Sequence, residues 1–171
     1  MIWSSGPLRR VGLLALVHLF VASASNCWAA ELTGIVVRIA DGDTISVLDE
    51  LKHQHRVRLA TIDAPERHQD FGNVARQQLA SIVFNKRVVV EWTKRDRYGR
   101  IIGKVLFEGR DVGLDMIQAG LSWHYKAFES EQDAADRLAY SLAESQARGK
   151  RVGLWRVSTP VPPWEFRRRK R

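Results

Sequence analysis

Arg58-Leu59-Ala60-Thr61-Ile62-Asp63-Ala64-Pro65-Glu66 decides the fold, read together with Asp41-Gly42-Asp43-Thr44 ahead of it. His55 to Ile62 alternates. Val57, Leu59 and Thr61 share one face and Arg58 takes the other, the period of a half-buried strand. Ala64-Pro65 stops that strand, because proline has no N–H for a ladder. Upstream, Thr33 to Ile39 and Thr44 to Leu48 are β-branched and alternating, with Asp41-Gly42-Asp43 as the turn between them. The polar stretch from Asp49 to Gln54 reads as a hairpin loop. Three antiparallel strands in a meander follow.

Beyond Glu66 the period changes. Arg67 to Gly72 is a polar loop, and Asn73 is a helix N-cap candidate. Ala75, Leu79, Ile82 and Val83 recur at helical spacing, so the pattern predicts a helix to about Phe84. Val88 to Trp92 and Ile101 to Phe107 read as a fourth and a fifth strand, joined by a turn at Asp96-Arg97-Tyr98-Gly99-Arg100. A short helix then faces Leu114 and Ile117 inward and ends at Gly120. Ser130 with Asp133 resembles a capping box for a last helix. Its inner face is expected to carry Ala134, Ala135, Leu138 and Leu142, and Gly149 ends it. The chain is therefore α+β: a five-stranded OB-fold-like β-barrel with three α-helices, the first inserted between strands three and four.

The hairpin brings Asp43 and Asp63 to one place, with Arg58 and Glu66 beside them. Carboxylates and arginines converging on one cleft are what hydrolysis of a phosphodiester needs. Each residue also has a plainer reading. Asp43 can simply hold an Asp-Gly turn. Asp63 can be a solvated strand end, Glu66 a surface acid, and Tyr98-Gly99-Arg100 only a hairpin turn. The plainer readings must all hold together, and the shared spacing argues against that. His53 and His55 lie together in a turn without a thiol or third partner, so they do not read as a zinc site. Trp92, Trp123, Tyr140 and Trp155 read as packing residues, whereas Tyr98 reads as a stacking surface.

The ends differ from the middle. Arg9 and Arg10 precede an apolar run from Val11 to about Ala22, and small residues follow, the order of a secretory signal. Cleavage is expected near Ala29 or Ala30; an uncleaved membrane anchor is the alternative. Cys27 is the only cysteine, and Asn26 before it argues against a lipoprotein signal. Cleavage after Ala29 leaves no cysteine, so the fold rests on its core, which 45% hydrophobic residues can supply. The 27 Lys and Arg, less Arg9 and Arg10, against 19 Asp and Glu leave the mature chain at +6. That charge suits a polyanionic partner, or serves solubility alone. Val161-Pro162-Pro163 breaks regular structure, and Arg167-Arg168-Arg169-Lys170-Arg171 closes the sequence. This predicts a flexible basic tail that either adds non-specific phosphate contacts or is merely solvated. The organisation is a signal over 1–29, one domain over 30–158, and a proline-containing linker with a basic tail over 159–171.

The stretch from about Leu32 to Trp155 resembles the thermonuclease (staphylococcal nuclease-like) family. Asp41-Gly42-Asp43-Thr44, Arg58 with Ile62-Asp63-Ala64-Pro65-Glu66, and Tyr98-Gly99-Arg100 carry the resemblance. Ala143-Glu144-Ser145-Gln146-Ala147 and Gly153-Leu154-Trp155 extend it. The resemblance implies a secreted or periplasmic, calcium-dependent endonuclease that cleaves DNA and RNA with little sequence demand. It implies Asp43, Asp63 and the Ala64 backbone carbonyl as calcium ligands, with Asp41 just outside them. It implies Glu66 as the catalytic carboxylate, Arg58 and Arg100 on the phosphate, and Tyr98 lining the nucleotide site. The chain departs from the family's best-known member in having alanine at 64 and a shorter loop after Glu66. Aromatic substrate contacts near Trp123-His124-Tyr125 are not assigned. A monomer without a stable protein partner is expected, and membrane contact only if the signal is uncleaved. The rivals are a non-catalytic nucleic-acid-binding barrel and an adaptor anchored by its N-terminus.

Overall fold

The computed structural model describes residues 30–169. The signal segment, Cys27, Lys170 and Arg171 lie outside the described residues. Five strands make the barrel: β1 (Ala30–Ile39), β2 (Thr44–Leu48), β3 (Gln54–Leu59), β5 (Arg87–Arg95) and β6 (Ile101–Phe107). The order is β3-β2-β1-β5-β6, antiparallel throughout, and a parallel pairing of β3 with β6 closes it, while the two-residue β7 (Arg110–Asp111) pairs with β6 beyond the barrel. Closure leaves none of the five with an open edge. Alternation fills the interior: Val36, Ile45, Val47, Val57, Val88, Val90, Ile101 and Val105 are almost wholly buried. The α+β barrel is thus as expected.

Of the helices α1 (Gly72–Val83), α2 (Val112–Gln118) and α3 (Ala134–Gly149), α1 packs on β1 and α2 on β6, while α2 also packs on α1 and α3. Ala75, Leu79 and Val83 bury the inner face of α1, and Met116 and Ile117 that of α2. Asp111 caps α2 by accepting from Gly113 and Leu114 N–H groups, and its other oxygen accepts from the Tyr140 hydroxyl at 2.8 Å. A second cluster joins Trp123, Ala147, Leu154 and Trp155.

Five details differ from the expectations. The third strand does not run to Ile62. It ends at Leu59, Thr61 takes a left-handed φ of 57°, and Ile62–Asp63 forms a separate strand, β4, paired with β8 (Trp123–His124). The α1 N-cap is Phe71 at φ 66°, so Asn73 lies inside the helix. A Cβ on Gly72 would stand 2.0 Å from the Glu66 carbonyl oxygen, and the loop closes on that glycine before the helix starts. Ser130 falls in a 3₁₀ turn, and Asp133 alone caps α3, accepting from Asp136 N–H at 2.8 Å. The inner face of α3 is Tyr140, Ala143, Glu144 and Ala147. Ala134, Ala135, Leu138 and Leu142 are exposed, the two leucines by 60% and 52%.

The fifth difference concerns the C-terminal segment. Pro163–Arg169 is a helix, α4, not a flexible tail. Pro163 opens it, a position where proline's missing N–H costs nothing. Trp164 then stacks on Tyr125 with ring centroids 5.2 Å apart and planes 10° apart, and meets Trp123 edge-on at 6.2 Å. Aromatic burial thus docks the helix.

Candidate active site

Asp43 ends the turn before β2, so its side chain enters the mouth of the barrel. Its Oδ2 accepts from the Ala64 N–H at 3.0 Å and its Oδ1 from the Thr44 hydroxyl at 2.9 Å. Asp41 supports the same turn, its Oδ1 accepting from the Asp43 N–H at 3.1 Å. Arg58 stands opposite Thr44 in the β2–β3 register. Its Nη1 donates to the Leu59 and Ile62 carbonyls, at 3.2 and 2.9 Å. Its Nη2 lies 2.9 Å from Asp63 Oδ1 and 3.4 Å from Asp43 Oδ2. One guanidinium nitrogen therefore faces both aspartates. The left-handed Thr61 makes this possible, because it turns β4 back toward β3.

Glu66 follows Pro65 and is half-buried; its N–H donates to Gln69 Oε1 at 3.1 Å. Arg100 comes from the other wall, at the β5–β6 turn. Its Nε and Nη2 both lie 2.7 Å from Asp96 Oδ2. Asp96 Oδ1 also accepts the Tyr98 and Arg100 N–H groups, which fixes the turn. The Tyr98 ring is 64% exposed, with the Arg100 guanidinium 5.7 Å from its centroid. Asp41, Asp43, Arg58, Asp63, Ala64, Glu66, Tyr98 and Arg100 all line one cleft of about 530 Å³. All eight residues singled out in the sequence are brought together.

The charges in the cleft are strongly coupled. Burial drives the Asp41 carboxyl up to about 7, and the charge of Asp43 adds to the effect. Burial also opposes ionisation of Asp43, but Arg58, the Ala64 N–H and the Thr44 hydroxyl outweigh it and hold its pKa low. Asp63 is raised, chiefly by burial and then by Asp43, although Arg167 and Arg58 pull the other way. Arg58 is desolvated too, yet Asp43 and Asp63 more than offset this and raise its pKa. Burial thus pushes Asp41 and Asp63 toward their neutral forms, and a cation bound beside them would favour their ionised forms.

Calcium fits the donor set. Asp43, Asp63 and the Ala64 carbonyl are oxygen donors, and calcium accepts such ligands in loose geometry with water completing the shell. Among the described residues no three His, Cys, Asp or Glu side chains gather as a metal cage. A cation held here would need waters besides the protein oxygens.

Three contributors were missed in the sequence. Asp96 orients Arg100, and its signal is an acid four residues before an arginine across a turn. The Thr44 hydroxyl holds Asp43. Arg167, placed in the tail, donates from Nη2 to Asp63 Oδ2 at 2.8 Å and from Nη1 to Glu66 Oε1 at 2.7 Å. It has no local signal, because it lies over a hundred positions from its partners.

Comparison with known proteins places the chain in a family. Residues 56–157 match the family described as "Staphylococcal nuclease homologue". That span holds Arg58, Asp63, Ala64, Glu66, Tyr98 and Arg100, with Asp41 and Asp43 before it and Arg167 after it. The chain is 47% identical to "Protein ParB" of Escherichia coli over 174 residues, 96% of this chain and 93% of that protein. It is 41% identical over 142 residues to an "Uncharacterized endonuclease" of Escherichia coli, 82% of this chain and 88% of the relative. It is 42% identical over 148 residues to a "Micrococcal nuclease" of Shigella flexneri, covering 81% and 82%. The chain belongs to the staphylococcal nuclease homologue family.

Proposed function

We propose that this chain is an exported, calcium-dependent nuclease that hydrolyses phosphodiester bonds in DNA and RNA with little sequence preference. One observation carries the reading: Asp43, Asp63, Ala64 and Glu66 line one cleft with Arg58, which touches both aspartates, and with Arg100 from the β5–β6 turn. Family membership and the nuclease names of two relatives support it. The secretory pattern at Arg9-Arg10 and Val11 to Ala22 is the ground for export. The expected monomer, without a stable protein partner, belongs to the same reading.

Asp43, Asp63 and the Ala64 carbonyl would hold the calcium ion, with Asp41 steadying Asp43 from behind. Bound calcium supplies charge that polarises a phosphate oxygen. Glu66 orients a water for attack, or takes its proton. Arg58 and Arg100 donate to phosphate oxygens, where planar forks give paired bonds that count most as charge builds on phosphorus. Tyr98 offers a ring face to a base or sugar.

The test is incubation of purified protein starting at residue 30 with DNA and with RNA, in calcium and then in a chelator. Cleavage in calcium that stops on chelation is expected. Undiminished cleavage in the chelator removes the calcium assignment, and no cleavage with any divalent ion removes the nuclease reading.

A further inference from the structure

Arg167 differs from its basic neighbours. Arg168 and Arg169 are exposed, while Arg167 reaches into the cleft. Trp164 and Arg167 are three residues apart on α4 and share a face. Trp164 is clamped against Tyr125 and Trp123, so the same docking that buries the tryptophan aims the arginine. The segment before the helix is fixed as well. The Val161 carbonyl accepts from Gln69 Nε2, and Gln69 Oε1 accepts the Glu66 N–H. One glutamine thus ties the strap to the loop that carries Glu66.

The guanidinium holds two acids at once. Nη2 is 2.8 Å from Asp63 Oδ2, while Nη1 is 3.2 Å from Asp63 Oδ1 and 2.7 Å from Glu66 Oε1. Arg58 already donates to Asp63 Oδ1, so both oxygens of this buried carboxylate are engaged by arginines. Asp43, Asp63 and Glu66 bring three acids to a place where Arg58 alone leaves an excess of negative charge. Arg167 offsets it, and a divalent cation would offset the same charge on the same oxygens. A divalent cation on Asp63 Oδ2 would stand beside the Arg167 guanidinium, and the two like charges oppose each other there.

We infer that Arg167 is an internal counter-ion that holds the site closed. It competes with the divalent cation for Asp63 and ties up Glu66, so that loading the site requires α4 to withdraw its guanidinium. The inference rests on the calcium-site reading above. The fold suits such a device. The helix has seven residues, too few to be stable alone, and is held by its contacts with the barrel domain. The Arg167 side chain is 41% exposed, so a route out is open. Arg167 also lines an adjoining groove of about 650 Å³ with Lys126, Arg148, Trp164, Arg168 and the acid Glu144, and the cations there outnumber that acid and suit a polyanion. Metal and strand then act together to open the site.

The experiment is calorimetric titration of calcium chloride, without nucleic acid, into wild type, Arg167→Gln, Arg168→Gln and Asp43→Ala. Arg167→Gln is expected to bind calcium about tenfold or more tightly than wild type, because a competitor has gone. Arg168→Gln should match wild type, and Asp43→Ala should lose the binding. Hydrogen exchange over residues 160–169 gives a second readout: in wild type it should speed up when calcium is added. Melting curves check that Arg167→Gln is folded, and Arg167→Lys, which keeps charge but not the fork, should bind with intermediate affinity. Wild-type binding that Asp43→Ala abolishes but Arg167→Gln leaves unchanged or weakens overturns this inference alone. Lower turnover of Arg167→Gln at unaltered calcium affinity also overturns it, since Arg167 would then be a substrate contact. Absence of calcium uptake by wild type and Arg167→Gln alike removes the calcium reading and this inference with it.

Discussion

Gly42→Ala tests whether the turn that carries Asp43 is set by contact with Ala64. A Cβ built on Gly42 lies 2.7 Å from the Ala64 Cβ and 2.7 Å from the Ala75 Cβ. Ordinary carbon contacts begin near 3.5 Å, so each gap is short by about 0.8 Å. Neither neighbour has a rotamer to change, and the turn, the strand end or α1 must move instead. Overpacking of this kind costs about 1–3 kcal/mol. In a chain of this size each kcal/mol lowers the melting temperature by about 2–4 °C, so a fall of about 2–12 °C is expected. The displacement falls between Asp43 and the Ala64 N–H that donates to it at 3.0 Å. Calcium-dependent turnover should drop further than stability does, by about 100-fold, since misplacing a reacting group by about 1 Å has that effect. The assays are thermal melts with calcium and with chelator, and initial rates on single-stranded DNA. Gly109→Ala is the control. Its Cβ meets nothing within 4 Å, and its φ of 75° imposes only backbone strain of about 1 kcal/mol. It should lose a little stability and keep its turnover. Wild-type melting and rates in Gly42→Ala would refute the packing argument.

Arg58→Lys gives up both carbonyl contacts and the fork between Asp43 and Asp63, so it should lower both melting temperature and turnover. Arg100→Lys, at a more open turn, should lose turnover by about tenfold or more and melt nearly normally; equal melting losses in the two variants would contradict this difference. Glu66→Gln keeps an oxygen for Arg167 but loses charge and basicity; turnover should fall by about two orders of magnitude or more at near-normal calcium affinity. Normal turnover with calcium bound would make Glu66 a bystander. Asp41→Asn bears on pH. The Asp41 pKa is raised from 3.8 to about 7 on folding, so its favourable contribution is full below the unfolded value and is lost as pH rises through 7. Asparagine keeps the oxygen that accepts the Asp43 N–H and carries no charge. Chelated Asp41→Asn should therefore melt higher than wild type at pH 7.5, with the gap closing toward pH 4. Parallel melting curves across that range would count against the raised pKa.

The barrel was legible because strands report themselves locally. Val57 and Leu59 alternate with Arg58, and Pro65 marks where the ladder stops. The break at Ala60-Thr61 was not legible, because nothing in threonine demands a left-handed φ; the pairing of β4 with β8 imposes it from outside. Helix α3 shows a different failure. Leu138 and Leu142 make the stronger apolar stripe on paper, yet the stripe that packs is Tyr140, Ala143, Glu144 and Ala147. Small alanines let the helix approach, the Tyr140 hydroxyl meets Asp111, and Glu144 accepts the His124 N–H at 3.2 Å. A buried glutamate with partners reads as an outward residue to any rule based on hydrophobicity.

The site divides along the same line. The meeting of Asp43, Arg58, Asp63 and Glu66 was legible because turn and strand chemistry place them within one meander, whereas Asp41 and Ala64 were singled out by the family resemblance. Arg100 and Tyr98 were legible from the β5–β6 turn. Arg167 sits in a run of five cations, which composition reads as solvated, after a proline pair that reads as a break. What reverses the reading is Trp164, whose contact with Tyr125 exists only once β8 has set the 125–128 segment beside the cleft. An aromatic three residues before an arginine at the edge of a basic run is therefore weak evidence alone. It gains force when the folded domain offers both a ring for the aromatic and unbalanced carboxylates at the arginine's reach. Here both are present, and a segment that looks like a general polyanion tether becomes part of the charge balance of the cleft.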